Sequence, residues 1–141
     1  MDSAIRMAEK AFSKSEVPVG AVVVWDHQII ARGYNQVERL TDATAHAELI
    51  AITSASNYMG SKILDECTLY VTLEPCPMCA GAMFWSRLGK LVYGAHDAHR
   101  GYSKVEPTLL HPSTEVVGGI MESECSEIVK TFFQKLRAEN P

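Results

Sequence analysis

The chain has 141 residues, and at roughly 100–200 residues per domain this length predicts a single domain over residues 1–141. Apolar residues make up 47% of the chain, but no apolar run approaches the ~20 residues of a membrane span, which argues against a membrane protein. The net charge of −4 argues against broad, non-specific nucleic-acid binding, which depends on Lys and Arg, although it allows a small basic face.

The apolar patterns predict nine elements in the order α-β-β-α-β-α-β-β-α. Helices are predicted where apolar residues recur at helical spacing, and strands where β-branched runs are bounded by turn residues. In chain order these are a helix over 2–15, strands over 19–25 and 28–34 joined by Asp26-His27, a helix over 45–57 with Thr44 as N-cap, a strand over 67–72, a helix over 76–86, a strand over 90–94, a polar loop over 95–113, a strand over 115–117 and a helix over 122–137. This alternation predicts a three-layer α/β/α sandwich around a five-stranded mixed sheet.

The N-terminus and the cysteines indicate a reducing compartment. The first residues carry no basic segment followed by an apolar run, so we expect no secretory signal and a cytoplasmic location. In a reducing cytosol the spacing of Cys76 and Cys79 is typical of a metal or redox site rather than a disulfide. Cys67 and Cys125 are expected to be buried, inert thiols.

Two short motifs at the starts of predicted helices indicate a metal site. His46-Ala47-Glu48 begins the second helix and Pro75-Cys76-Pro77-Met78-Cys79 begins the third, so both helix N-termini can point into one cleft at the end of the sheet. Cys76 and Cys79 are three residues apart and share a helix face, where the positive helix N-terminus stabilises thiolates. Two thiolates and one imidazole suit Zn²⁺ and leave its fourth position open, as in catalytic sites.

Glu48 is the predicted acid–base residue. On an ideal helix its side chain would diverge from that of His46 by about 200°, so we expect both residues at an irregular helix entrance. Zinc lowers the pKa of a bound water, but two thiolates weaken this effect, so a nearby carboxylate is needed as base. Glu48 would accept the water's proton and deliver it to the ring nitrogen and the departing ammonia.

Each motif alone has a plainer interpretation: a structural zinc half-site or core thiols for the cysteine pair, and an ordinary helix for His-Ala-Glu. Together and in this order they match the H-x-E…P-C-x-x-C pattern of zinc-dependent base deaminases. The sequence resembles the cytidine deaminase-like superfamily, and most closely the bacterial tRNA-specific adenosine deaminases, which convert the wobble adenosine of an arginine tRNA to inosine. The matching stretches are residues 16–22, 42–48, 68–76, 78–83 and 92–95, followed by Asp97.

The resemblance implies the cytidine deaminase-like fold, a homodimer, one Zn²⁺ per subunit and a tRNA anticodon loop as substrate. It also assigns roles to individual positions. The implied residues are the zinc ligands His46, Cys76 and Cys79, the proton shuttle Glu48, Asn35 on the flipped-out base, Val19 at the pocket floor, backbone of Ala47 and Pro75 in the pocket, Asp97 near the target nucleotide and Phe133 near a flanking base.

Other interpretations remain open. The plainer interpretation of Asn35 and Asp97 is that they are ordinary turn residues, and that of Phe133 is that it packs in the core. The chain also resembles guanine deaminases, so deamination of a free base or nucleoside is the alternative activity, and a non-catalytic zinc protein is a third possibility that the presence of Glu48 disfavours. An RNA substrate further requires basic residues near the cleft. The candidates are Lys90, Arg100, Lys104, Lys130, Lys135 and Arg137.

Overall fold

The five strands join into one mixed sheet in the order β2-β1-β3-β4-β5. The computed structural model describes residues 1–140, without the side chain of Pro107. The helices are α1 Asp2–Ser13, α2 Val37–Leu40, α3 Ala47–Met59, α4 Pro77–Trp85, α5 Tyr102–Val105 and α6 Glu122–Glu139, with a 3₁₀ turn over Pro107–Leu109. The strands are β1 Gly20–Trp25, β2 Gln28–Tyr34, β3 Thr68–Leu73, β4 Lys90–Ala95 and β5 Glu115–Val117.

Helices cover both faces of this sheet. α1 and α6 pack on one face, and α3 packs on the other with α4 beside it. The main core lies between the sheet and α3 and α4, where Leu69, Val71 and Leu91 are fully buried against Met83. The predicted three-layer α/β/α sandwich around a five-stranded mixed sheet is therefore confirmed. Within residues 1–140, no helix is both long and apolar enough to cross a bilayer.

The strand directions bring four chain segments to one edge of the sheet. β1 runs antiparallel to both β2 and β3, whereas β3, β4 and β5 are parallel. The start of β1 and the ends of β2, β3 and β4 consequently lie side by side. Gly20 N–H donates to Thr72 Oγ1 over 3.1 Å, and Leu73 pairs with Ala95. The segments that follow these strand ends form the site described below.

The stretch between β2 and α3 differs from its prediction in two ways. Thr44 is not the N-cap of α3, because His46 holds that position and the Thr44 hydroxyl instead donates to Asp42 over 2.7 Å. The polar stretch 35–45 contains a short helix, α2, which composition alone did not predict. α2 is held in place by the buried carboxylate of Glu16, a contact between residues more than twenty positions apart.

Gly20 allows α1 to lie directly on β1. A Cβ atom at this position would collide with the carbonyl oxygen of Ala4 and the amide nitrogen of Ala8, both backbone atoms that no side-chain rotation can move aside. Ala4, Ala8 and Ala11 form the buried face of α1 at this contact. Small residues on both elements therefore set the distance between the first helix and the sheet.

We expect Gly20→Ala to destabilise the fold by about 2 kcal/mol or more, because overpacking a tight contact of this kind costs about 1–3 kcal/mol. Urea denaturation followed by circular dichroism measures the change. Glu9→Ala, on the exposed side of the same helix, is the control and should stay within about 0.5 kcal/mol of wild type. Equal stability of the two variants would show that α1 does not pack on β1 as described.

Candidate active site

Two of the metal-ligand candidates are helix N-cap residues. His46 precedes α3 with φ −74° and ψ 149°, and Cys76 precedes α4 with φ −73° and ψ 168°. Each helix thus begins one or two residues later than predicted, and Pro77 takes the first helical position of α4, where proline is tolerated. Because the backbone of His46 is extended, the 200° divergence of an ideal helix does not apply to His46 and Glu48. The expected irregular helix entrance is present.

The three ligand atoms converge on one point. His46 Nδ1 lies 3.6 Å from Cys76 Sγ and 3.5 Å from Cys79 Sγ, and all three atoms lie within 4.8 Å of one another. Around a tetrahedral ion with Zn–S of about 2.3 Å and Zn–N of about 2.0–2.1 Å, nitrogen and sulfur are separated by about 3.5–3.6 Å. The donor set therefore fits a zinc ion in both chemistry and spacing. Within the described residues, it is the one His, Cys, Asp and Glu cluster of this kind.

The thiols are strongly coupled to each other. The pKa of Cys76 falls to about 4, chiefly because the Cys79 thiol donates a hydrogen bond to it, with His46 as a further cause. The pKa of Cys79 is raised, chiefly by donating that hydrogen bond and also by burial. The pKa of His46 is raised by its contact with Cys76. These contacts and the positive N-terminus of α4 favour a thiolate at Cys76.

Glu48 is a buried carboxyl group beside these ligands. Its residue surface is only 4% exposed, and burial raises its pKa to about 7. Its carboxylate also contacts the Cys79 thiol. A carboxyl group that gains and loses a proton near neutral pH suits proton transfer, and perturbed groups of this kind are concentrated at functional sites.

His46, Glu48 and Cys76 line a cavity of about 1220 Å³, which exceeds the roughly 300–1,000 Å³ of usual small-molecule sites. Its walls come from the four sheet-edge segments and from α6. Val19, Asn35, Ala47, Asp97 and Phe133 all line it, as expected of substrate-contacting residues. Pro75 is not among the described lining residues; it is buried, and its carbonyl oxygen accepts the Tyr102 N–H over 2.9 Å.

The comparisons with known proteins agree with this geometry. The family model of the MafB19-like deaminases matches residues 1–137. The chain belongs to this deaminase family. The tRNA-specific adenosine deaminase of Bacillus subtilis (strain 168) is 46% identical over 142 residues, covering 97% of this chain and 88% of that protein.

The fold of this deaminase is similar to the solved structures of two kinds of deaminase. A structure from a study of A-to-I editing by tRNA:A34 deaminases superposes with a TM-score of 0.84 and 42% identity, covering 91% of this chain and 96% of that one. A guanine deaminase of Bacillus subtilis superposes with a TM-score of 0.66 and 37% identity, covering 79% and 74%. The first match is better in score, identity and coverage.

Predicted RNA contacts of this deaminase divide into two groups. Arg100 and Lys130 line the cavity. Lys90 was predicted wrongly, because it begins β4 at the end remote from the site, where it pairs with Glu115 over 3.0 Å. Lys135 lies over the ring of Phe12, 5.8 Å from its centroid, and Lys104 and Arg137 are not among the described lining residues.

Two of the cavity residues also have structural contacts. The Asp97 carboxylate accepts the backbone N–H groups of His99 and Arg100, each over 3.0 Å, and so forms the turn that was its alternative interpretation. Phe133 is 36% exposed, whereas the adjacent Phe132 is buried and packs edge-on against Phe12. Of this aromatic pair, Phe132 is the core residue and Phe133 remains partly exposed at the cavity.

Sequence reasoning missed two buried carboxylates of this deaminase. Glu16 is 1% exposed and accepts the N–H groups of Glu38 and Arg39 over 3.0 and 2.8 Å. Glu74 is 4% exposed and binds the loop after β4. The available signal was their position, since each stands just before a proline-containing segment at the pocket, Glu16 before Val17-Pro18-Val19 and Glu74 before Pro75-Cys76.

We expect Cys79→Ala to weaken zinc binding by more than the roughly 10–100-fold that loss of an outer hydrogen-bond partner costs, because a direct ligand is removed. Competition with a chromophoric chelator measures the affinity. Cys67→Ala is the matched control. Cys67 is also fully buried, but it directly precedes β3 in the sequence and is not one of the candidate ligands. Equal zinc affinity in the two variants would refute the ligand assignment.

Proposed function

We propose that this deaminase converts adenosine to inosine at the wobble position of an arginine tRNA, with one Zn²⁺ per subunit held by His46, Cys76 and Cys79. The observation that carries the proposal is the placement of His46 Nδ1 3.5–3.6 Å from both sulfurs, beside buried Glu48 at a cavity with basic residues in its wall. The 46% identity to the tRNA-specific adenosine deaminase of Bacillus subtilis supports it. A tRNA substrate implies action in the cytoplasm.

Zinc, when bound, supplies Lewis-acid activation of the attacking water. The residues of the chain then control the proton. Glu48 accepts a proton from the water as it attacks the carbon that bears the amino group, and donates it to the neighbouring ring nitrogen. It next carries the second proton to the departing amino group, which leaves as ammonia. A pKa of about 7 makes both directions of transfer accessible at neutral pH.

The cavity walls offer contacts for one flipped-out base. Val19 is its proposed floor, and Asn35 is held beside it, because its backbone N–H donates to the Val19 carbonyl over 3.1 Å. Ala47 is the first residue of α3, where a helix has N–H groups without an intrahelical partner. We assign the Asn35 side chain and the Ala47 N–H to hydrogen bonds with the base. Phe133 offers an aromatic face for stacking of a flanking base.

The cavity size and two basic residues in its wall favour RNA over a free base. Arg100 lies in the loop after β4 and Lys130 lies in α6, and both are available to phosphates of a bound RNA. A free purine would leave most of the 1220 Å³ to solvent. Guanine deamination is the second candidate, favoured by the 37% identity to the Bacillus subtilis guanine deaminase.

One exposed face supports a homodimer. Trp85 is 79% exposed at the end of α4. Met78, 39% exposed, lies on the same helix face two turns earlier, and between them lie Gly81 and Ala82. Small residues flanked by large apolar ones allow a second copy of this helix to approach closely. We propose that this face joins two subunits.

We expect the purified protein to produce inosine in an arginine anticodon stem-loop, detected by mass spectrometry of its nucleosides. Glu48→Gln should bind zinc like wild type and lose about 10²–10⁴-fold in rate, because general acid–base catalysis contributes this much. Ammonia release from guanine, with none from the stem-loop, would reverse the substrate assignment. A fully active Glu48→Gln variant would refute the proton-transfer role.

We expect sedimentation velocity to show the protein as a species of two 15.5 kDa chains. Gly81→Arg should shift it to the single-chain mass, because a charged side chain would occupy the space where a Cβ atom meets no neighbour within the subunit. Glu9→Arg, on the opposite face of the sheet, should leave the dimer intact. A wild-type protein that sediments as one chain would contradict the proposed interface.

A further inference from the structure

Glu74 connects the metal-binding segment to the loop after β4. It stands directly before Pro75-Cys76, and its backbone N–H donates to Ala95 over 2.8 Å. Glu74 Oε1 accepts the Asp97 N–H over 3.2 Å. Glu74 Oε2 accepts the backbone N–H of Ser103 over 3.2 Å and its hydroxyl over 2.7 Å. The two carboxylate oxygens therefore hold both ends of the 97–103 loop.

The loop also lies tightly against this carboxylate. A Cβ atom at Gly101 would collide with Glu74 Oε2 and would lie 2.7 Å from the Asp97 carbonyl oxygen. Gly101 has an ordinary φ of −63°, so backbone conformation does not require glycine there. Glycine is needed because there is no space for a side chain between the loop and Glu74.

The carboxylate of Glu74 is costly to bury, and no lysine or arginine of the described residues forms a salt bridge with it. No Lys or Arg of the described residues lies within 4.0 Å of it, and the nearest cationic candidate is His96 Nδ1 at 3.8 Å. Burial of a carboxylate is strongly unfavourable unless hydrogen bonds compensate for lost water. All hydrogen bonds of its carboxylate go to the segment whose residues Asp97 and Arg100 line the cavity.

We propose that Glu74 is a positioning residue that holds the 97–103 loop at the mouth of the cavity, in register with the segment that carries Cys76. Through this loop it places Asp97 and Arg100 where the nucleic acid enters. The inference rests on the proposed RNA deamination for its effect on substrate binding. The loop contacts themselves do not depend on that function. Glu74 also lines the cavity, but the hydrogen bonds of its carboxylate go to Asp97 and Ser103 and not to Glu48 or the ligands, so we assign its effect to binding rather than to proton transfer.

Glu74→Gln preserves shape but removes the charge and one acceptor. We expect KM for an anticodon stem-loop to rise roughly 10-fold or more, as loss of a charge-assisted hydrogen bond implies, while kcat changes less than about 3-fold. Zinc content should equal that of wild type. Glu106→Gln, an exposed glutamate just beyond the loop, is the matched control and should leave both constants unchanged. A fall in kcat at unchanged KM, or no change at all, would overturn the positioning role.

Hydrogen exchange tests the same contacts without a substrate. In Glu74→Gln the amides of Asp97 and Ser103 should exchange at least about 10-fold faster, while those of β3 and β4 keep their wild-type rates. Uniformly faster exchange would indicate general destabilisation and would overturn the proposal. Should the wild-type protein produce no inosine, the proposed function fails, but the exchange rates at Asp97 and Ser103 still decide whether Glu74 holds the loop.

Gly101→Ala disturbs the same contact from the loop rather than from Glu74. Its added methyl group would push the loop away from an unchanged Glu74 carboxylate. We expect it to raise KM and to speed exchange at Asp97 and Ser103 as Glu74→Gln does. The double variant should be little worse than either single one, since both remove one interaction. Effects on KM that multiply in the double variant would mean that the two residues act independently, and would contradict the proposal.

Discussion

The site depends on one geometric constraint. An imidazole nitrogen at the start of α3 and two sulfurs at the start of α4 must be close enough to share a single ion. The fold meets it by placing the first turns of α3 and α4 at the same edge of the sheet, with His46 and Cys76 as their N-caps. An N-cap residue has an extended backbone, so its side chain can turn away from its own helix. The resulting separations of 3.5–3.6 Å match those of tetrahedral zinc.

The three buried carboxyl groups around this centre differ in what they contact. Glu48 is buried beside the ligands, and its raised pKa follows from the loss of water. Glu16 and Glu74 are also buried, but both are satisfied by backbone N–H groups of cavity segments. One carboxylate holds α2 and the other holds the 97–103 loop. The cavity thus has the buried carboxyl group of Glu48 beside the candidate metal ligands, and two structural carboxylates that hold two of its walls.

The convergence of His46, Cys76 and Cys79, with Glu48 beside them, and the layer architecture were predictable from sequence because each depends on local pattern. The Cys-x-x-Cys spacing and the apolar periodicity can each be recognised in a short stretch of sequence, without knowing how the rest of the chain folds. Thr44 and Lys90 were misjudged because their surroundings are set by distant elements. The point at which the chain enters the helix decides which residue is the N-cap, and the end of the strand at which a lysine stands decides whether it can reach the site. The role of Glu74 needs a contact across 29 positions, which no local pattern contains.

X-ray absorption at the zinc edge tests the central claim most directly, since it reports the atoms bound to the ion without reference to activity. Our account predicts two sulfurs at about 2.3 Å, with one nitrogen and one further light atom at about 2.0–2.1 Å. The zinc ion should have four ligand atoms, and the further light atom should be an oxygen of a solvent molecule. A shell of three or four sulfurs, or one with a single sulfur, would contradict a site formed by His46, Cys76 and Cys79.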